Sequence, residues 1–156
     1  MKNDEIIDEV SGFTMPSASK FDVFKLFSLK NRTIVITGSA QGIGRVAAIA
    51  CGKAGGKIAI TDKDFKSASK LEDELIDAGI DAKAWELDVI IEKKIIEVFD
   101  NISSHFGSLD VLINNAGTAN RNAAEEMKTE DFENIIKLYL PSSFICNCIK
   151  WYIKMC

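Results

Sequence analysis

The stretch Thr33-Ile34-Val35-Ile36-Thr37-Gly38-Ser39-Ala40-Gln41-Gly42-Ile43-Gly44 decides how this chain folds. Ile34, Val35 and Ile36 form a short β-branched run, the pattern of a strand buried on both faces in a parallel sheet. The run stops at Gly38, glycines recur at 42 and 44, and an amphipathic helix is expected from Ile43 to about Ala54. Strand, glycine turn and helix N-terminus are the parts of a phosphate-binding crevice. The helix start leaves backbone N–H groups unpaired and carries about half a positive charge. A pyrophosphate reaches them only where the backbone comes close, so side chains at 38, 42 or 44 are expected to obstruct it. The spacing is Gly-x-x-x-Gly-x-Gly, and no Gly-Lys-Ser/Thr closes the loop, which excludes the Walker pattern. Taken alone, the loop also reads as a turn that lets a helix pack closely on a strand.

Downstream, a second strand is expected at Lys57–Thr61, ending on Asp62. In a strand–helix–strand unit an acid at that tip meets the ribose hydroxyls of an adenosine, and its charge repels a 2′-phosphate. Asp62 therefore points to NAD ahead of NADP, with Lys63 beside it softening the distinction. The plainer reading is that Asp62 caps the next helix. That helix is expected from about Asp64 to Ala78, with Gly79 closing it. A third strand at Asp81–Leu87 runs into Asp88-Val89, where Asp88 is placed to accept from an adenine amino group or to cap a helix from Ile90 to Phe106. His105, the single histidine, falls in that helix's last turn, where its charge suits the dipole better than it suits catalysis. A fourth strand, Leu109–Ile113, leads into Asn114-Asn115-Ala116-Gly117. Two amides and two small residues at a strand tip suggest backbone passing close to a ligand, with an Asn side chain bridging strands where pairing ends.

The whole chain bounds these readings. Its 156 residues suit one domain, and a net charge of −4 without a basic patch argues against a nucleic-acid partner. Cys51, Cys146, Cys148 and Cys156 show neither zinc-type spacing nor a disulfide framework. The acidic first residues resemble no signal peptide, so a cytoplasmic, reducing setting is expected, with no membrane span. Residues 1–28 read as a flexible extension, 29–140 as the dinucleotide-binding half-domain and 141–156 as an atypical apolar tail. Phe21, Val23, Phe24, Leu26, Phe27 and Leu29 are expected to pack across the bottom of the sheet, or else to form a docking arm.

Taken together, Thr37-Gly38-x-x-x-Gly42-Ile43-Gly44, Asp62, Asp88 and Asn114-Asn115-Ala116-Gly117 resemble the short-chain dehydrogenase/reductase family over roughly residues 29–145. Leu26-Phe27-Ser28-Leu29-Lys30 resembles the lead-in of members acting on sugars and polyols. The resemblance implies an α/β fold of Rossmann type, a parallel sheet with helices on both faces and, here, strands in the order 3-2-1-4. It implies hydride transfer between a nicotinamide and a small alcohol or ketone. The residues it implies for the cofactor are Gly38, Ser39, Gln41, Gly42, Ile43, Gly44, Asp62, Asp88, Val89, Asn115, Ala116 and Gly117. NAD is expected first and NADP second, and a homo-oligomer stays open.

The family's chemistry does not carry over residue by residue. It uses a Tyr with a Lys four residues on and a Ser, because a proton donor near neutral pH must be tuned down from the free phenol's value near 10. Here Tyr139 and Tyr152 are followed at that distance by Ser143 and Cys156, so no catalytic residue is assigned. Tyr139 also stands where the family has an Asn. Pro141 is expected to break a helix, and the apolar run after it to depart from the family sequence. The chain is therefore expected to be a truncated, inactive form of such an oxidoreductase. The alternatives are a non-catalytic nucleotide-binding or dimer-partner relative, or a non-functional product.

Overall fold

A computed structural model describes residues 6–8, 13–15, 22–118 and 124–155. In the region read as a flexible extension, β1 (Ile6–Asp8) and β2 (Phe13–Met15) pair antiparallel, and α1 (Val23–Leu26) follows. Leu29 packs on the core, but Leu26 and Phe27 stand exposed, so the aromatic-rich leader does not cover the sheet with these two residues. Phe21 and the side chains of Val23 and Phe24 lie outside the described residues.

The main body alternates strand and helix: β3 (Thr33–Thr37), α2 (Gly42–Lys53), β4 (Lys57–Asp62), α3 (Phe65–Asp77), β5 (Ala82–Glu86), α4 (Glu92–Phe106) and β6 (Val111–Ile113). Two helices follow, α5 (Thr129–Tyr139) and α6 (Pro141–Met155). The four strands form a parallel sheet in the order β5-β4-β3-β6, the expected Rossmann-type arrangement. Side chains alternate across a strand, so β3 feeds two cores. Ile34 and Ile36 join Ile58 and Ile60 against Ala48 of α2 and Leu71 and Leu75 of α3. Val35 and Ala59 face the other way, against Ile95, Val98, Phe99 and Ile102 of α4. Each fully buried Ile or Leu contributes roughly 1.5–3 kcal/mol relative to leaving it in water.

Local chemistry ends the helices where the sequence suggests. Asp64 caps α3 by accepting the Ser67 N–H at 3.2 Å, and Gly107, at φ +80°, closes α4. Pro141 marks a true break: α5 ends at Tyr139 and Pro141 takes the first position of α6, where its missing N–H costs nothing. The segment after Pro141 is not a loose tail. Ser142 and Cys146 are buried, and Ile145 and Ile149 pack on the second core.

The two margins of the sheet differ. On β5, Glu72 of α3 reaches over to accept the Ala84 N–H at 2.9 Å and the Lys83 ammonium at 3.1 Å. β6 is fastened at its start instead. Asp110 accepts from the Thr33 N–H at 2.9 Å, from Ser108 Oγ at 2.9 Å and from Arg32 at 3.1 Å. Beyond that, β6 pairs only with β3 among the described strands.

Candidate functional site

Four strand tips and one helix start meet at the carboxyl end of the sheet. Gly38 and Gly42 hold φ values of +63° and +57°, a region that L side chains rarely adopt. The three glycines serve different ends. A Cβ on Gly38 would lie 2.8 Å from the Ala116 Cα, so this glycine lets β3 and the segment after β6 close on each other. A Cβ on Gly44 would strike the Asn115 amide and stand 2.5 Å from the Gly38 carbonyl. Only at Gly42 does the missing side chain face open space, and Gly42 lines a crevice of about 970 Å³.

Side chains tie the strand tips together. Asn115 donates from Nδ2 to the Thr37 and Gly38 carbonyls at 2.9 and 2.8 Å, bridging β6 to β3 where the ladder ends. The Thr37 hydroxyl accepts the Asn115 and Ala116 N–H groups, both at 3.0 Å. Asp62 is buried at the β4 tip. One of its carboxylate oxygens accepts the Ala40 N–H of the glycine loop, the other the Asp64 N–H, both at 3.0 Å. It is therefore not the helix cap, which is Asp64. Asp88 likewise leaves the cap of α4 to Ile91 and accepts the Ile90 N–H at 3.0 Å. The α2 N-terminus is left bare: Gln41 makes no side-chain bond to it, and no acid occupies the first turn.

Of the residues implied by the resemblance, ten line this one crevice: Gly38, Gln41, Gly42, Ile43, Asp62, Asp88, Val89, Asn115, Ala116 and Gly117. Ser39 and Gly44 do not. Ser39 is buried, and its hydroxyl accepts the Thr61 N–H at 3.1 Å, which locks the loop to β4. Gly44 faces Asn115 and the Gly38 carbonyl, so a side chain there would obstruct the protein's own backbone before it obstructed a ligand. Besides Lys63, Leu87, Ile90 and Thr118, four lining residues that the sequence did not assign to the site stand on α5: Asp131, Asn134, Ile135 and Leu138. Their spacing marks one helical face, but only the tertiary arrangement turns that face to the strand tips. His105 lies elsewhere, edge-on to Trp85 with ring centres 5.7 Å apart.

The short chain dehydrogenase family model matches residues 32–149. This chain belongs to the short-chain dehydrogenase family. The match runs past Pro141 into the segment read as an apolar tail. Among curated relatives, this chain is 35% identical to 5-keto-D-gluconate 5-reductase of Escherichia coli strain K12, over 77% of this chain and 47% of that protein. It is 31% identical to the 3-oxoacyl-[acyl-carrier-protein] reductase FabG of Staphylococcus epidermidis, over 77% of this chain and 49% of that one. The crystal structure of a hydroxysteroid dehydrogenase from Escherichia coli superimposes with a TM-score of 0.78 at 28% identity, covering 81% of this chain and 54% of that one. The chain thus spans about half the length of these curated relatives. Among the described residues no helix is long and apolar enough to cross a membrane.

Proposed function

We propose that this chain is the cofactor-binding portion of a short-chain oxidoreductase and holds a nicotinamide dinucleotide, NAD ahead of NADP, in the crevice at the strand tips. The observation that carries the reading is the convergence of the bare α2 N-terminus, the open Gly42 and the buried Asp62 on one crevice. The residues fit such a group. Backbone N–H groups at the α2 start receive a pyrophosphate, and no acidic side chain in that first turn competes with it. Asp62 takes the ribose hydroxyls through acceptor sites left beyond its two backbone bonds, and its charge disfavours a 2′-phosphate. Asp88 and Val89 take the adenine side.

Once bound, the nicotinamide supplies hydride transfer to or from a small alcohol or ketone. A gluconate-type or acyl-type substrate is suggested only by what the relatives are named for. No residue of this chain is assigned the proton transfer, and the isolated chain is proposed to bind without turnover. A non-catalytic nucleotide-binding or dimer-partner role stays as the alternative; a non-functional product would bind nothing.

Calorimetry with NADH tests the reading, with Gly42→Trp as the blocked control and Asp62→Ala as the specificity variant. NADH binding is expected in the native chain and abolished by Gly42→Trp. Asp62→Ala is expected to weaken NADH and to narrow its advantage over NADPH. Unchanged affinities in Asp62→Ala would remove that carboxylate from the site, and turnover by the pure chain would overturn the assignment of inactivity.

A further inference from the structure

Tyr139 holds the far wall of the crevice. It is the last residue of α5, half exposed, and its hydroxyl donates to the Thr118 carbonyl at 2.6 Å. Its ring lies over Gly117: a Cβ there would stand 2.7 Å from the hydroxyl oxygen and 3.0 Å from a ring carbon. Gly117 is not among the positive-φ glycines, so its lack of a side chain answers to Tyr139 and not to backbone conformation. Gly117 and Thr118 line the crevice, as does the α5 face of Asp131, Asn134, Ile135 and Leu138. The segment after β6 is thus pinned twice, to β3 by the Asn115 amide and to α5 by the Tyr139 hydroxyl.

We infer that Tyr139 is a positioning residue that sets the spacing between the Asn115–Thr118 segment and α5, and with it the grip on the part of a dinucleotide lying beyond the glycine loop. The inference rests on the dinucleotide reading above. In the sheet order, Asp62 on β4 and Asp88 beyond β5 lie on one side of β3, while Gly117 and Thr118, beyond β6, lie on the other. An adenosine held at Asp62 leaves the remainder of the ligand to pass toward Tyr139. Loss of the hydroxyl therefore acts on the whole dinucleotide and spares its adenylate half.

The test compares NADH with AMP on the native chain, Tyr139→Phe, Tyr139→Asn, Gly117→Ala and the double variant Gly117→Ala/Tyr139→Asn. Tyr139→Phe is expected to weaken NADH about fivefold, the worth of one neutral hydrogen bond, with AMP unchanged. Gly117→Ala displaces the hydroxyl and is expected to match that loss, but to add nothing in the Tyr139→Asn background. Three results would overturn the inference: unchanged NADH affinity in Tyr139→Phe, equal weakening of both ligands, or a Gly117→Ala loss of the same size in both backgrounds. If the native chain binds neither ligand, the dinucleotide reading fails by itself. The same cycle read as melting temperature then decides the contact: a Gly117→Ala penalty that vanishes with Tyr139→Asn supports it, and an equal penalty sinks it.

Discussion

Asp110 shows how much one carboxylate settles at the bottom of the sheet. Its burial alone would raise its pKa, yet the Thr33 N–H, the Ser108 hydroxyl and the Arg32 guanidinium hold it below the ordinary carboxylate value. A group depressed in the folded state stabilises the fold above its unfolded pKa, near 3.9 for Asp, and that contribution is lost as pH falls through the folded value. Asp110→Asn is therefore expected to lower stability at pH 7 by about 2 kcal/mol, the scale of hydrogen bonds to a charged group, and to flatten the decline below about pH 4. Urea titrations from pH 7 to pH 3 measure both, and an unchanged acid limb would count against the clamp. Nothing in the sequence singled out Asp110, because, Ser108 aside, its partners stand 77 residues away at Thr33 and 78 away at Arg32. Asp62 was legible for the opposite reason: a fixed distance after Gly38, at the end of an apolar run, it sits where the order of elements alone carries it to the crevice. Ser39 and Gly44 sit in the same readable loop, but spacing does not reveal whether a small residue makes room for a ligand or for the protein's own Asn115 and Thr61.

At the scale of elements, α6 is where local pattern and packing disagree. Its sequence reads as an interrupted apolar run with two cysteines, and nothing in that run names a partner. The partner is α4, whose Ile95, Val98 and Phe99 belong to the same core cluster as Cys146. Ser142 helps turn the chain there, its hydroxyl bonding back to the Leu138 carbonyl across the Pro141 break. Burial pushes the Cys146 thiol up to about 11, while Cys148 is exposed. At pH 8 about a thousandth of a thiol titrating at 11 is thiolate, against roughly a quarter for a free cysteine. Cys148 is expected to react with a thiol reagent at once, and Cys146 at least about a hundredfold more slowly until the chain unfolds. Mass-resolved labelling reads the two sites separately, and equal rates would mean that α6 is not seated. The strands and the first three long helices were legible because β-branched runs, a 3.6-residue apolar period and glycine or aspartate ends agree over residues 33–113. That agreement fails in the leader, where aromatic Phe27 looks like core and stands exposed.

Over the whole molecule, protection is graded from the middle of the sheet outward. Ile34, Val35, Ile36, Ile58, Ala59 and Ile60 are fully buried between helix layers, whereas all three residues of β6 are partly exposed. Amide exchange is expected to be slowest in β3 and β4 and markedly faster at Val111–Ile113, since β6 is short and bonded on one side among the described strands. Uniform rates across the four strands would mean that the sheet opens only as a unit. The strand order also carries a consequence for the chain as it is being made. β3, β4 and β5 emerge in an order that builds the sheet steadily away from β3, and only then does the chain return to β3's other flank, pairing Ile34 with Val111. Roughly fifty residues separate the end of β4 from that return, several seconds of synthesis at about 5–20 residues per second. During that interval the glycine loop already has Asp62 and Ser39 to hold it on one side, but Asn115 has yet to be added on the other. The crevice is therefore finished late: the Asn115 amide closes the open side of the glycine loop, the α5 face that completes the lining leaves the ribosome later still, and a ligand present in the cell gains a complete seat only then.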